Sequence, residues 1–517
     1  MQKLRSYVQG EWFEASSGFR PLTDPCSEEV FAETSTEGLD FAAVVGYCRD
    51  TGGPALRAMT LGERGAMLAA MSKALHDQRE ALIEYSVESC GTTRKDAKFD
   101  IDGASGTLYY YSTLAKGLEE RSCFADGEGV QLGRSARSWG QHAWLPKRGV
   151  AVHINAFNFP AWGLAEKAAC ALLAGMPVLS KPATSTAALT ARCVEAIVDS
   201  GCLPAGALSF VAGSVGDLFA HLGPQDVIAF TGSADTGRTI RGDSRVLDAG
   251  VKVNVEADSL NAAVLAPDVE EGSDVWDLFL RDVSREITQK SGQKCTAVRR
   301  ILVPKERLDD VLGELRSRLE GVVVGNPRDK GVTMGPLATA QQLDDAVAGV
   351  AKLQEHAELV FGSGQRVDGI GNDAGRGYFF APALLVAKDA TAQSPLHEHE
   401  VFGPVATLFP YDGDAATAAK IVSLSEGTLV TSVYGDDVKW LSTYLQNGGA
   451  YTGRLYVGSE KGADQAPGSG LALPQVLHGG PGRAGGGEEL GGLRGLALYQ
   501  QRVAVMGDRA IVDRMIG

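Results

Sequence analysis

From residue 149 onward, short apolar runs alternate with stretches whose apolar positions recur every three or four residues. The runs at 150–154, 178–180, 208–211, 227–230 and 251–255 predict strands, and 164–173, 187–198, 215–222 and 234–241 predict the helices between them. The run at 262–265 completes the series. Strand and helix alternating at this spacing imply βαβ units and a doubly wound parallel sheet, which binds ligands beyond the carboxyl ends of its strands. A helical run at 275–290 leads to residue 295, and a second alternating region follows. Strands are expected at 300–303, 359–361, 383–386, 406–409, 429–433 and 455–457, and helices at 308–319, 338–353 and 415–424, making a second α/β domain. Ahead of both, 8–35 reads as short extended pieces, and 62–90 and 101–119 as helical runs whose Met and Tyr residues belong to the core. Segment 123–144 reads as an excursion of strands around 130–132 and 142–144. The glycine-rich stretch 479–495 is expected to be an ordered functional loop, because long loops in compact domains usually carry function.

Length agrees with this division, since 517 residues exceed one ordinary core. A net charge of −15 argues against a nucleic-acid or membrane-surface binder, while leaving room for a local basic pocket that holds a phosphorylated ligand. The eight cysteines, at 26, 48, 90, 123, 170, 193, 202 and 295, are scattered without a Cys-x-x-Cys pair, a pattern that suits a reducing cytosol. Residues 1–7 lack the apolar core of a signal peptide and no run is long enough to span a bilayer. A soluble, cytoplasmic protein is expected.

A free cysteine is ordinarily a small buried hydrophobe. Cys295 differs in its setting, Ser291-Gly292-Gln293-Lys294-Cys295-Thr296-Ala297, a loop between a predicted helix and a predicted strand. Gly292 allows a turn there, and the neighbouring Lys294 is expected to favour the thiolate. Residues 230–239 carry Phe-Thr-Gly-Ser-Ala-Asp-Thr-Gly-Arg-Thr at a strand-to-helix turn, the usual place for a phosphate. The stretch falls short of a P-loop because Arg238 replaces the lysine that reaches the β/γ-phosphates, and a plain tight turn is the other reading. Asn158 in Phe157-Asn158-Phe159-Pro160, Lys181 in Ser180-Lys181-Pro182 and Glu256 after 253–255 all stand at predicted strand ends. No Gly-x-Ser-x-Gly elbow occurs. His397-Glu398-His399 lacks a third ligand at metal spacing and reads as a solvated segment, so no metal is expected.

Taken together, Phe-Asn-Phe-Pro, Ser-Lys-Pro, Phe-Thr-Gly-Ser-x3-Gly, the strand-terminal Glu256, Gly-Gln-x-Cys and Glu400-x-Phe402-Gly-Pro resemble the aldehyde dehydrogenase superfamily, in order and nearly end to end. The resemblance implies Cys295 as nucleophile, Asn158 as oxyanion donor, Glu256 as general base, and Lys167 either as a proton relay or as an ordinary surface salt bridge. It implies a cofactor held by Lys181, Thr184, Ser185, Gly232, Ser233, Gly237, Glu400 and Phe402. It further implies a cofactor domain over 1–122 and 149–257, a catalytic domain over 258–498, and a small β oligomerisation element from 123–148 and 499–517, hence a homodimer. NAD-preferring relatives carry a glutamate three residues after the motif lysine; Thr184 stands there, so NADP is expected over NAD. Glu256-Ala-Asp-Ser-Leu-Asn261 departs from the usual Glu-Leu-Gly-Gly-Lys-Ser. This variant resembles the dehydrogenase part of phenylacetate ring-cleavage enzymes. It resembles still more a stand-alone branch of aerobic benzoate breakdown that oxidises 3,4-dehydroadipyl-CoA semialdehyde, since the chain stops at Gly517 where the former continue into a hydratase domain. A CoA-linked semialdehyde is therefore the expected substrate. Another small aldehyde, or a non-catalytic structural role, remains the alternative.

Overall fold

The computed structural model describes residues 1–516 except 119 and 122, so the last predicted helical position at Glu119 and the terminal Gly517 lie outside the described residues. Two seven-stranded sheets dominate it. In the first, Lys252–Glu256, Val227–Thr231, Ala151–Ile154, Val178–Lys181 and Leu208–Phe210 are parallel neighbours in that order, and Ser6–Val8 and Glu11–Phe13 extend the edge antiparallel. The chain runs outward from Ala151–Ile154 through Leu208–Phe210, then returns to that strand's other side with Val227–Thr231. The switch point thus falls between Ala151–Ile154 and Val227–Thr231, where a crevice opens beyond the strand ends.

The second sheet runs Ala357–Phe361, Ala383–Ala387, Val405–Tyr411, Arg300–Pro304, Ala262–Leu265, Thr428–Tyr434, Thr452–Gly458, all parallel except its first edge strand. Its five inner strands are buried on both faces and read as largely continuous apolar runs rather than alternating ones. Ala262–Leu265 belongs here and not to the first series, because Ala257–Asn261 carries the chain from one sheet to the next. The fold is α/β with two parallel-sheet units, as the pattern implied.

Differences from the sequence expectation have local causes. The helix expected at 215–222 shrinks to one 3-10 turn, Leu218–His221. Gly216 sits at φ 50° with its α-carbon against the Phe41 ring, which breaks the first turn. Helix Val438–Gly448 was not foreseen; Asp437 caps it by accepting from the Lys439 and Trp440 amides. The excursion forms Phe124–Ala125, Val130–Gln131 and the long Ser138–Pro146, which pairs over nine residues with Gln500–Asp508.

Candidate active site

Helix Asp274–Thr288 ends where Lys290 and Ser291 take left-handed backbone at φ 53° and 55°. Two successive non-glycine residues there store strain and must be held by their surroundings. Ser291 Oγ donates to the Gly335 carbonyl at 2.8 Å, and Gln293 Oε1 accepts from the Ala338 amide at 3.0 Å. Gly292, at φ 69°, could carry no side chain, since a Cβ would lie 2.2 Å from the Gly403 carbonyl oxygen. The turn delivers Cys295, which Asn261 then clamps. Asn261 Nδ2 donates to the Cys295 and Ala297 carbonyls at 2.7 and 2.9 Å, and its Oδ1 accepts from the Val430 amide at 2.9 Å. Ser259 Oγ donates to Asn261 Oδ1 at 2.6 Å and accepts from the Leu429 amide at 2.8 Å. The departing motif Ser259-Leu260-Asn261 is thus the brace that ties the cysteine loop to the second sheet.

Glu256 ends its strand with a buried carboxylate, and a β-hairpin brings two further groups to it. Strands Leu477–Gly479 and Glu488–Leu490 pair so that His478 and Glu489 lie directly opposite, on one face. The hairpin's connection packs tightly on Val255, whose carbonyl oxygen is only 2.1 Å from where a Cβ of Gly485 would stand. His478 Nε2 comes 3.2 Å from Glu256 Oε1 and 3.8 Å from Cys295 Sγ. Lys167 Nζ lies 3.0 Å from both Glu166 Oε1 and Glu489 Oε2 and is 2% exposed, so the surface salt bridge is excluded.

The electrostatics follow from this crowding. Burial pushes the Cys295 thiol well above its usual range and the Glu256 carboxylate pushes it further, so the resting sulfur is protonated. Lys294 does not relieve this, contrary to the sequence expectation: its ammonium is held at 2.7 Å by Glu286 Oε2 and at 2.8 Å by Gln289 Oε1. Burial alone would raise Glu256, but His478 and Lys167 outweigh it and keep the carboxylate below its ordinary range. His478 is raised, because the pull of Glu256 exceeds the penalty of burial. One ammonium cannot hold three carboxylates down, and Glu489 is pushed up to about 7 by burial despite Lys167.

A cleft of about 510 Å³ joins Cys295, Glu256, His478, Asn158 and Lys167 between apolar walls from Phe99, Phe159 and Trp162. The Asn158 amide has no protein partner among the described residues, and Thr231 Oγ1 is buried without one. At the carboxyl ends of the first sheet, Ser233 caps helix Ala234–Arg241 by accepting from the Thr236 amide, and Asp258 takes the Ala234 amide at 3.0 Å. Gly237 lets that helix approach the sheet, with Val255 Cγ1 2.9 Å from its would-be Cβ. Lys181 ends its strand half-buried with no ion pair among the described residues, and burial alone lowers it. Thr184 and Ser185 start the following turn, Thr184–Thr186, and remain partly exposed. Glu400 is buried, with Arg299 Nε at 3.1 Å from Oε1 and the Ser259 amide at 3.0 Å from Oε2. Phe402 meets Phe157 edge-on at 5.7 Å.

Cys295, Glu256, Asn158 and Lys167 therefore share one cleft, while the other named residues lie along strand ends of the first sheet and starts of the second. Sequence reasoning missed His478 and Glu166, met Asn261 only as the end of the departing motif without its clamping role, and covered Glu489 only within the glycine-rich stretch 479–495. His478, one residue ahead of that segment, was the available signal. His397 is not in a solvated segment: it is 0% exposed, bonded to Arg300.

A profile of the aldehyde dehydrogenase family matches residues 12–495. The chain is 42% identical over 479 residues to a 3,4-dehydroadipyl-CoA semialdehyde dehydrogenase of Aromatoleum evansii, covering 93% of each chain. It is 26% identical over 419 residues to a 3,6-anhydro-alpha-L-galactose dehydrogenase of Vibrio sp. (strain EJY3), covering 80% of this chain and 82% of that one. Among solved structures, 3,6-anhydro-L-galactose dehydrogenase in complex with NAP superposes with a TM-score of 0.84 at 23% identity, covering 98% of this chain and 100% of that one. Betaine aldehyde dehydrogenase of Staphylococcus aureus in complex with NAD+ does so with a TM-score of 0.84 at 23% identity, covering 98% and 95%. With a family profile spanning most of its length and a relative so similar along nearly all of it, this chain belongs to the aldehyde dehydrogenase family and is an NAD(P)-dependent aldehyde oxidoreductase.

Proposed function

We propose that the protein oxidises a CoA-linked semialdehyde, 3,4-dehydroadipyl-CoA semialdehyde, to the carboxylic acid with NADP, in aerobic breakdown of benzoate. The observation that carries the substrate is the 42% identity over 93% of both chains to the dehydrogenase named for it. The cleft agrees: its phenylalanine and tryptophan walls suit a short unsaturated acyl chain whose CoA carrier stays outside.

In this reading the Cys295 thiol passes its proton to the ionised Glu256 and adds to the aldehyde carbon. The free Asn158 amide and the Cys295 backbone amide receive the oxyanion, each such donor contributing about 3–4 kcal/mol. A nicotinamide held in the crevice would supply the hydride acceptor that turns the Cys295 thiohemiacetal into a thioester. Glu256 then activates water against the Cys295 thioester and the acid departs. Lys167, bridging Glu166 and Glu489, offers the proton a route outward.

The residues fit the cofactor. Lys181 is a half-buried cation without a countercharge, the partner a 2′-phosphate supplies, and Thr184 adds a donor where a glutamate would repel it. Ser233 and the helix it caps would take the diphosphate, with Gly232 and Gly237 permitting close approach, and Glu400 with Phe402 would frame the nicotinamide ribose. Residues 1–122 with 149–257 form the cofactor domain and 258–498 the catalytic domain. The arm made from 123–148 and 499–517 leaves Val130, Leu132, Met506 and Met515 exposed, which supports a homodimer through that arm. Eight unpaired cysteines support a cytoplasmic location. The test is kcat/KM for CoA-linked and free semialdehydes with each cofactor. A better free aldehyde, or a new CoA thioester as product, overturns the reading.

A further inference from the structure

We propose that Cys295, His478 and Glu256 form a zinc-binding site whose occupation shuts the enzyme off reversibly. Their ligand atoms lie within 4.8 Å of one another, with Sγ to Nε2 at 3.8 Å and Nε2 to Oε1 at 3.2 Å. A tetrahedral zinc ion with bonds of about 2.0 Å to nitrogen, 2.1 Å to oxygen and 2.3 Å to sulfur separates sulfur from nitrogen by about 3.5 Å and nitrogen from oxygen by about 3.4 Å. Both observed edges fall within a few tenths of an ångström of these values, so only small side-chain shifts are needed.

The three groups are not locked to one another. No donor is aligned on Glu256 Oε1, and His478 Nδ1 is buried without a partner. All three line the cleft, which gives the ion a way in and leaves its fourth position for water. The neighbouring set of Glu166, Glu256 and Glu489 also gathers ligand atoms within 4.8 Å, but the Lys167 ammonium already bridges two of them. The reaction itself needs no metal. Zinc takes thiolate, neutral imidazole and carboxylate, so the thiol proton and the second proton of a charged His478 both go to the buffer. Once coordinated, the sulfur donates into the ion and loses nucleophilicity, and the ion with its water fills the cleft where the aldehyde would approach. The site does not depend on which aldehyde the enzyme oxidises.

Zinc and cobalt(II) test this on the intact enzyme. Wild type is expected to bind one equivalent of zinc that stops iodoacetamide from alkylating Cys295, with full reversal by EDTA. Cobalt(II) should give a thiolate charge-transfer band and d–d absorption of tetrahedral intensity. Cys295→Ala should lose the cobalt band. His478→Gln keeps the thiol but should need at least about tenfold more zinc for the same protection, as loss of a ligand costs no less than loss of its outer-shell support. Circular dichroism establishes that both variants fold. An unprotected Cys295 in zinc-treated wild type, or wild-type zinc affinity in both variants, overturns the proposal. Turnover of zinc-free wild type, measured alongside, separates that outcome from failure of the catalytic assignment.

Discussion

His397 offers a direct measure of the electrostatics inside the catalytic half. It is fully buried, with Nδ1 3.2 Å from Arg300 Nη1 and Nε2 3.2 Å from the Ala390 carbonyl oxygen. Arginine has no acceptor, so Nδ1 must accept and Nε2–H must donate: the neutral tautomer is fixed by its two neighbours. Protonation would set two donors and two cations face to face. Burial first, then the Arg300 charge, lowers His397 from 6.5 to about 4. A depressed folded-state value means that the unfolded chain binds the extra proton, so this stability is fully present above pH 6.5 and is lost as pH falls toward 4. A shift of about 2.5 units corresponds to about 3 kcal/mol, of which about 2 kcal/mol is lost between pH 7.5 and 5.0. His397→Asn keeps an acceptor for Arg300, gives up the bond to Ala390 and removes the titration. It should cost about 1–3 kcal/mol at pH 7.5 for the unpaired carbonyl. Urea unfolding followed by near-ultraviolet circular dichroism at both pH values gives the comparison. Wild type should weaken by about 2 kcal/mol more than the variant on acidification. Parallel losses in the two proteins, or a buried imidazole titrating near 6.5 by NMR, would refute the reasoning.

Other consequences are quicker to check. Glu256→Gln should slow both half-reactions, because the Cys295 thiol loses its proton acceptor and water loses its base, so burst rate and steady turnover should each fall by about 10²-fold or more; rapid-quench kinetics showing a burst at the wild-type rate would contradict this. Thr184→Glu should swing the NADP-to-NAD ratio of kcat/KM toward NAD, since a carboxylate about 4 Å from the 2′-phosphate costs about 4 kcal/mol per charge at an effective dielectric near 20. Glu400 is pushed up to about 6, by burial more than Arg299 can offset. If Glu400 accepts from the ribose as proposed, that bond weakens as pH falls through 6, and the cofactor KM should rise there in wild type but stay flat in Glu400→Gln. Asn261→Ala removes both bonds that hold the Cys295 and Ala297 carbonyls and should lower kcat at least tenfold with little change in cofactor KM, about 1–2 kcal/mol per lost bond.

Local patterns made most of the fold legible. Helix Ala234–Arg241 and strand Ala262–Leu265 fall where the apolar periodicity puts them. Which sheet Ala262–Leu265 joins was not legible, because register against Arg300–Pro304 and Thr428–Tyr434 is a long-range property. The helix at 215–222 failed because a glycine with positive φ does not show its angle in the sequence. Glu256 and Asn158 stood out since each sits in a short motif at a strand end, and Cys295 since it sits in a glycine-bearing loop between a helix and a strand. His478 and Glu489 did not, since their meaning comes from pairing across a hairpin and facing Glu256, more than two hundred residues away in the chain.

The same distinction explains why Lys294 was misleading. A lysine beside a cysteine in sequence suggests a lowered thiol, but Cys295 lies in a turn closed by the Ala297 amide on the Lys294 carbonyl, and the Lys294 ammonium pairs with Glu286 instead. The groups that do face the sulfur come from three other segments: Asn158 after the first strand of its sheet, Glu256 at the end of the neighbouring series, and His478 on the hairpin. Two of these three are positioned by backbone rather than by side-chain contacts. Glu256 is fixed by parallel pairing to Thr231, and His478 by antiparallel pairing to Glu489. A site built this way keeps its geometry when its charges change, as the proposed mechanism requires: the thiol proton can pass from Cys295 to Glu256 and on toward Glu489, which is pushed up to about 7 beside the Lys167 ammonium, without any element having to shift.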